Sequence, residues 1–200
     1  HTAIRRQRQM CIRDSYYFMS ISFFIGGARS GKSISAENYT LNLGNNPFYM
    51  ATCEILDEEM ALRVKRHQQR RDKNWTTIVA PLDISGEIQK IGARGPVLID
   101  CLTLWLSNHL LKKNNLDEKI DELTTTLINS KSDIVLVSNE VGTGIVPDNS
   151  LAREFRDNAG FMNQKVASVS DEVYWVVAGI QTQIKSVSYT HLRAHETSPD

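Results

Sequence analysis

Three groups of residues could carry chemistry. The first is Gly26-Gly27-Ala28-Arg29-Ser30-Gly31-Lys32-Ser33, which matches G-x-x-x-x-G-K-[ST] between an apolar run and a helix-like run. In that context the glycines let backbone N–H groups turn towards phosphates, and the following helix N-terminus adds a favourable field. Lys32 is expected to reach the outer phosphates of a nucleoside triphosphate, and Ser33 to ligate Mg²⁺. The second group is Val97-Leu98-Ile99-Asp100, an apolar strand ending in an acid that can hold the same Mg²⁺ shell. The third is the run from Asp57 to Arg71, where Arg63, His67 and Arg70 fall close together on one helical stripe. A neutral imidazole can attack phosphorus, and neighbouring cations both depress its pKa and hold a triphosphate. Each group also has a plainer reading: a glycine-rich turn, a strand that merely ends in Asp, and a solvated histidine among arginines. The loop motif indicates a nucleotide but not a reaction.

These residues need elements to position them. Strand-like apolar runs recur at Ser20–Ile25, Phe48–Thr52, Thr76–Val79, Val97–Asp100, Ile134–Ser138 and Val173–Ala178. Helix-like segments fall between them at Ile34–Leu43, Asp57–Arg71, Leu102–Lys113, Asp117–Ser130 and Ser150–Ser168. The Asp57–Arg71 segment opens with acids and closes with bases, as the helix dipole favours. This alternation predicts an α/β fold, with a mainly parallel sheet covered by helices on both faces. There is no internal repeat, and Asn114–Asn115 is too short a polar break to divide domains.

The chain has 200 residues, 41% hydrophobic and 23% charged, with no net formal charge. Those values suit one globular domain. No apolar run is long enough to span a membrane, and Tyr16–Ile25 reads as a buried strand rather than a signal peptide. Three cysteines without a CxxC pair suggest neither a disulfide framework nor a zinc site, so a cytoplasmic setting is expected.

Both ends look foreign. Met10-Cys11-Ile12-Arg13-Asp14-Ser15 back-translates to ATG TGT ATA AGA GAC AGN, whose reverse complement encodes Ser186-Val187-Ser188-Tyr189-Thr190-His191. One inverted DNA repeat can therefore encode both ends, and it resembles a transposon-end sequencing adapter. Arg5–Gln9 and Leu192–Thr197 fit its continuation. Residues 1–15 and 186–200 are accordingly expected to be non-native, leaving one catalytic domain over 16–185 with Met19 as the expected native start. That domain holds 18 basic and 20 acidic residues, and His67 and His109 are its histidines. Its mild acidity gives no electrostatic reason to expect nucleic-acid binding.

Four blocks together carry a family resemblance: Gly26–Ser33 (GGARSGKS), Ala51–Trp75 (ATCEILDEEMALRVKRHQQRRDKNW), Asp100–Asn108 (DCLTLWLSN) and Asn139–Gln164 (NEVGTGIVPDNSLAREFRDNAGFMNQ). The chain resembles the adenosylcobinamide kinase / adenosylcobinamide-phosphate guanylyltransferase family over nearly all of Ser20–Lys185. The resemblance implies a RecA-like P-loop fold and a homotrimer. It also implies two reactions: ATP or GTP phosphorylates the aminopropanol hydroxyl of adenosylcobinamide, and GTP then transfers GMP to adenosylcobinamide phosphate through a GMP–histidine intermediate. The family pattern of Arg, an apolar residue, two variable residues and His lands on Arg63–His67, which makes His67 the implied nucleophile. Nucleotide contacts implied beyond the loop are Thr52, Arg63, Gln68, Arg70, Arg71 and Asp100, with Ser33 and Asp100 on the metal. His109 stands where the family usually has an apolar residue and is read as structural or surface.

Two departures stand out. Val79 and Ala80 occupy positions where the family often has an acid before Pro81, and Gly179-Ile180-Gln181 replaces Gly-Ile-Pro. Glu140, beyond a strand end, is a candidate for orienting substrate or water, unless Asn139–Pro147 is only a rigid loop. Arg153, Arg156 and Asp157 are candidates for the corrinoid, a neighbouring subunit or ordinary surface pairing. A single-function small-molecule kinase and a non-catalytic nucleotide-binding module remain the alternatives.

Overall fold

The computed structural model describes residues 19–54 and 74–187. Seven strands form one sheet in the order β3-β2-β4-β5-β1-β6-β7. They are β1 (Ile21–Gly26), β2 (Phe48–Ala51), β3 (Thr76–Val79), β4 (Val97–Asp100), β5 (Ile134–Asn139), β6 (Glu172–Val177) and β7 (Ile180–Ser186). The first six run parallel, and β7 returns antiparallel along β6. The strand bearing the phosphate loop, β1, is separated from the strand bearing Asp100, β4, by β5, the RecA-like arrangement.

The inner strands are buried on both faces, which is why they read as continuous apolar runs. Successive side chains then sort to opposite faces. Phe23, Met50, Val97, Ile99, Ile134 and Leu136 enter one core. Phe24, Tyr49, Leu98, Val135 and Val137 enter the other. The first core is closed by α2 (Ile84–Ile91), α3 (Leu102–Leu111), α4 (Leu116–Ile128) and α5 (Ser150–Val169), through Ile84, Leu102, Leu106, Leu123 and Met162. The second is covered by α1 (Lys32–Leu43) through Ala36. Each fully buried Leu, Ile or Phe contributes about 1.5–3 kcal/mol over its exposed state.

Helix starts follow the side chains that can take up orphan amides. Asp83 accepts from the Gly86 amide at 2.8 Å, Asn115 from Glu118 at 3.4 Å and Asn149 from Ala152 at 2.7 Å. The sequence reading matches the strands to within a residue or two. It did not anticipate α2 or β7, and it ran α3 two residues too far. The expected helix at Asp57–Arg71 lies outside the described residues, as do residues 1–18 and 188–200. β7 runs through Ser186, one residue past the boundary drawn from the coding repeat, and the Val187 amide bonds the Asp171 carbonyl at 3.0 Å. No helix among the described residues is long and apolar enough to cross a membrane.

Candidate active site

β1 delivers the chain into a loop that only particular residues can form. A Cβ on Gly26 would sit 2.2 Å from the Val176 carbonyl oxygen and 2.8 Å from Ser30 Oγ, so the first loop position must be glycine. Gly31 adopts φ +96°, in the left-handed region, and a Cβ there would meet the Gly179 Cα at 3.1 Å. Between them Ala28 and Arg29 are exposed and Ser30 is buried. α1 starts at Lys32 with no side chain capping it, so its first amides remain available to an anion. The β6–β7 turn braces the loop from outside, the Gly179 amide donating to the Ser30 carbonyl at 2.7 Å.

The Lys32 side chain is buried and its Nζ donates to the Gly27 carbonyl at 3.0 Å, within the loop it is expected to serve. Burial pulls its pKa down, and the nearby Cys101 and Asp100 oppose that shift. Lys32 and Asp100 are thus electrostatic neighbours, although they come from different strand–helix units. Asp100 ends β4 and accepts a 3.2 Å bond from Tyr49 Oη of the adjoining strand β2. Its peptide bond to Cys101 is cis. The Ser33 hydroxyl makes no hydrogen bond among the described residues. Ser33 and Asp100 together offer an all-oxygen donor set suited to Mg²⁺, which keeps waters and substrate phosphates in the rest of its shell. Among the described residues there is no group of three or more His, Cys, Asp or Glu that could hold a metal ion.

Thr52, a nucleotide contact by the family resemblance, has its hydroxyl engaged within the protein. It is fully buried; its hydroxyl donates to the Cys101 carbonyl at 2.7 Å and accepts from the Cys101 amide at 2.8 Å. It therefore fixes the chain just after Asp100. Asn108 continues this bracing, its Nδ2 donating to the Thr52 and Pro81 carbonyls, both at 2.9 Å. Thr103 Oγ1 accepts from the Asn139 amide at 2.8 Å and from Asn139 Nδ2 at 3.0 Å. Tyr49, Thr103 and Asn108 were not singled out from sequence. Their signal was polar side chains at positions that the pattern around them makes buried.

Glu140 donates its amide to the Gly26 carbonyl at 3.0 Å, joining the β5 edge to the loop, while its Oε1 accepts from the Gly142 amide. Arg153 is spent on the Pro147 and Asp148 carbonyls, and Arg156 pairs with its neighbour Asp157 at 3.1 Å. His109 is 3% exposed. Its Nδ1 meets Asn114 Nδ2 at 2.8 Å, its Nε2 meets the Leu82 carbonyl at 3.2 Å, and its ring lies edge-on to Trp105. With the Asn114 Nδ2 donating to Nδ1 and the Leu82 carbonyl accepting from Nε2, the pair of contacts matches a neutral ring protonated on Nε2. Burial pulls its pKa down. His109 is structural. His67, Arg63, Gln68, Arg70 and Arg71 lie outside the described residues; the segment that holds them leaves from Glu54, just past the carboxyl end of β2.

The geometry is that of a phosphate-binding site, and comparison with known proteins specifies which. Residues 22–184 match the family model described as cobinamide kinase / cobinamide phosphate guanyltransferase. The chain belongs to this family. Among curated members of the cobinamide kinase / guanyltransferase family, bifunctional adenosylcobalamin biosynthesis protein CobP of Pseudomonas aeruginosa is 38% identical over 164 residues, covering 80% of this chain and 95% of that protein. Protein CobU of Salmonella typhimurium, of the same bifunctional description, is 38% identical over 178 residues, covering 80% of this chain and 97% of its own. CobU of Escherichia coli is 37% identical over 176 residues, with the same coverage.

Proposed function

We propose that this chain catalyses both reactions of its family from one phosphate loop. In the first, the aminopropanol hydroxyl of adenosylcobinamide attacks the γ-phosphorus of ATP or GTP, the bond to the bridging oxygen of the β-phosphate breaks, ADP or GDP leaves and the hydroxyl proton passes to water. In the second, a ring nitrogen of His67 attacks the α-phosphorus of GTP, the bond to the β-phosphate oxygen breaks and pyrophosphate leaves. A phosphate oxygen of adenosylcobinamide phosphate then attacks the same phosphorus, breaking the P–N bond and giving adenosyl-GDP-cobinamide. Lys32 and the α1 amides hold the outer phosphates; Arg63, Arg70 and Arg71, with Gln68 and the loop residues Ala28 and Arg29, surround the nucleotide. Bound through Ser33 and Asp100, Mg²⁺ supplies positive charge to the phosphates.

The observation that carries this reading is the juxtaposition of Lys32 and Asp100 at the sheet edge from which the His67 segment also departs. β2 runs parallel to β4, with Ala51 opposite Asp100, so the chain enters that segment on the side where the nucleotide phosphates would lie. The deciding experiment incubates the protein with GTP labelled on the α-phosphate, then treats it with acid and with hydroxylamine. The expected adduct is acid-labile and alkali-stable. A single-function kinase leaves the protein unlabelled, and a passive nucleotide-binding module neither labels nor turns over adenosylcobinamide.

The same reading includes a cytoplasmic homotrimer, checked by light scattering, and residues 1–15 and 186–200 as adapter-derived additions. Chain trimmed to 16–185 is then expected to keep its turnover and thermal midpoint.

A further inference from the structure

β2 and β4 lie side by side, with Tyr49 opposite Leu98 and Ala51 opposite Asp100. Tyr49 and Leu98 enter the core that α1 covers. Asp100, two residues beyond Leu98, therefore presents its carboxylate to that same face, where α1 begins with Lys32. Opposite charges brought to one place would ordinarily pair. Lys32 and Asp100 form no ion pair among the described residues. Lys32 Nζ donates to the Gly27 carbonyl at 3.0 Å, and Asp100 Oδ2 accepts from Tyr49 Oη at 3.2 Å. Each charge has a neutral partner, so neither is spent on the other.

The phenol is the less expected of the two partners. A buried strand position such as 49 is filled equally well by Phe, Ile or Val. Tyr49 is 5% exposed, and its ring lies edge-on to Trp75, with centroids 6.2 Å apart at 81°. Packing fixes the ring, and the ring fixes the hydroxyl. The backbone just after Asp100 is pinned as well, by the Thr52 hydroxyl on the Cys101 amide and carbonyl. Asp100 itself is half-buried, and its Oδ1 takes no hydrogen bond from the described residues. One carboxylate oxygen is thus engaged and the other is open. Swinging both oxygens onto one cation would pull Oδ2 off a phenol that cannot follow. That restriction discriminates between cations. Ca²⁺ accepts a carboxylate through one oxygen or both, in a large and flexible shell, whereas Mg²⁺ is small, demands a regular shell and keeps several waters.

We infer that Tyr49 is a positioning residue that sets metal choice: its hydroxyl holds Oδ2 of Asp100, so the carboxylate offers a divalent cation one oxygen and favours Mg²⁺ over Ca²⁺. The inference rests on the proposed reading of Asp100 as a metal ligand.

The test uses the full chain and a GTP analogue with carbon at both phosphate bridges, which cannot react. Its affinity is measured by calorimetry in saturating Mg²⁺, in saturating Ca²⁺ and in EDTA, for the parent, Tyr49→Phe and Asp100→Asn. Tyr49→Phe keeps the ring against Trp75 and strands only a half-buried carboxylate that water can reach; Tyr49→Met, which fills the space without a donor, serves if the first does not fold. The parent is expected to bind the Mg²⁺ complex more tightly than the Ca²⁺ complex. In Tyr49→Phe that ratio is expected to fall about fivefold or more, as loss of one hydrogen bond to a charged group allows, with affinity in EDTA within about twofold of the parent. In Asp100→Asn the tightening by either metal is expected to be lost. A parental Mg²⁺-to-Ca²⁺ ratio in Tyr49→Phe overturns the role of Tyr49 and leaves Asp100 on the metal. An equal loss of affinity in all three conditions also overturns it, since that marks a purely structural residue. A parent without preference for Mg²⁺ does the same. Full metal tightening in Asp100→Asn sinks the metal reading of Asp100 and the inference together.

Discussion

The Gly179 amide donates a 2.7 Å hydrogen bond to the Ser30 carbonyl, so the β6–β7 turn holds the phosphate loop in shape. Gly31 sits in contact range of that turn with φ +96°. Gly31→Ala is expected to cost about 1–3 kcal/mol from the left-handed backbone alone, and more if the turn is pushed away. Urea denaturation gives the stability, and nucleotide titration should show weakened binding. A variant of parental stability and affinity would show that the turn yields without consequence.

Lys32→Ala is expected to suppress both reactions by about 10²–10³-fold or more, because one loop serves both nucleotide steps. The two activities are measured side by side. Normal guanylyl transfer beside a dead kinase would require a second nucleotide site.

His67→Ala is expected to abolish covalent GMP labelling and guanylyl transfer. The kinase step uses the substrate's own hydroxyl and should be largely retained. Acid-labile GMP on this variant would refute the assignment. His109 offers no ready substitute, since both of its ring nitrogens are engaged in the fold.

His109 bears instead on acid stability. Its pKa is held below the ordinary value of about 6.5, so the unfolded chain binds its proton first. Its contribution to stability is complete above about pH 6.5 and is lost as pH falls through the lower folded value. Unfolding curves from about pH 7.5 to 5 should show that decline, and His109→Leu should make it shallower. At neutral pH His109→Leu should also cost about 1–3 kcal/mol by stranding its hydrogen-bond partners. An identical acid limb in parent and variant would count against the buried neutral ring.

Thr52→Val keeps the shape of the side chain but removes the hydroxyl that bridges the Cys101 amide and carbonyl. Stability is expected to fall by about 2–3 kcal/mol, as buried polar groups lose their partner. The kinase rate should fall while nucleotide affinity changes little, since Thr52 acts by placing Asp100. Loss of nucleotide affinity at an unchanged rate would instead favour direct contact with the nucleotide.

What was legible beforehand was local or periodic. The phosphate loop is a contiguous stretch whose glycines announce it, and β1, β4 and β5 declare themselves because strands buried on both faces leave little room for polar residues. Asp100 could be marked because it ends such a run. Tyr49 could not, because its bond to Asp100 depends on the pairing of β2 with β4, and strand order is not written in either strand. α2 escaped notice because its eight residues include Ser85 and Gly86 in the first turn, which hide the Ile84, Ile88, Ile91 spacing. β7 escaped because Ile180–Ser186 is an exposed antiparallel edge rich in Gln and Thr. The family position of Thr52 pointed to the right edge of the sheet, but only packing reveals that its hydroxyl is turned onto Cys101.

The strand order has a consequence for biogenesis. β1 is the first strand among the described residues, yet both of its partners come late: Ser20 is anchored by Asp133, 113 residues on, and Ile21 by Asp171, 150 residues on. A ribosome therefore releases Ile-Ser-Phe-Phe-Ile-Gly long before either strand that pairs with it. Until β5 and β6 emerge, the nascent chain presents an unpaired strand of high β-propensity and no charge, the kind of segment that self-associates. Closure of the sheet must then join distant parts of the chain at once, which slows folding. The nucleotide site, braced by Glu140 on one side and Gly179 on the other, comes into being only in that last event.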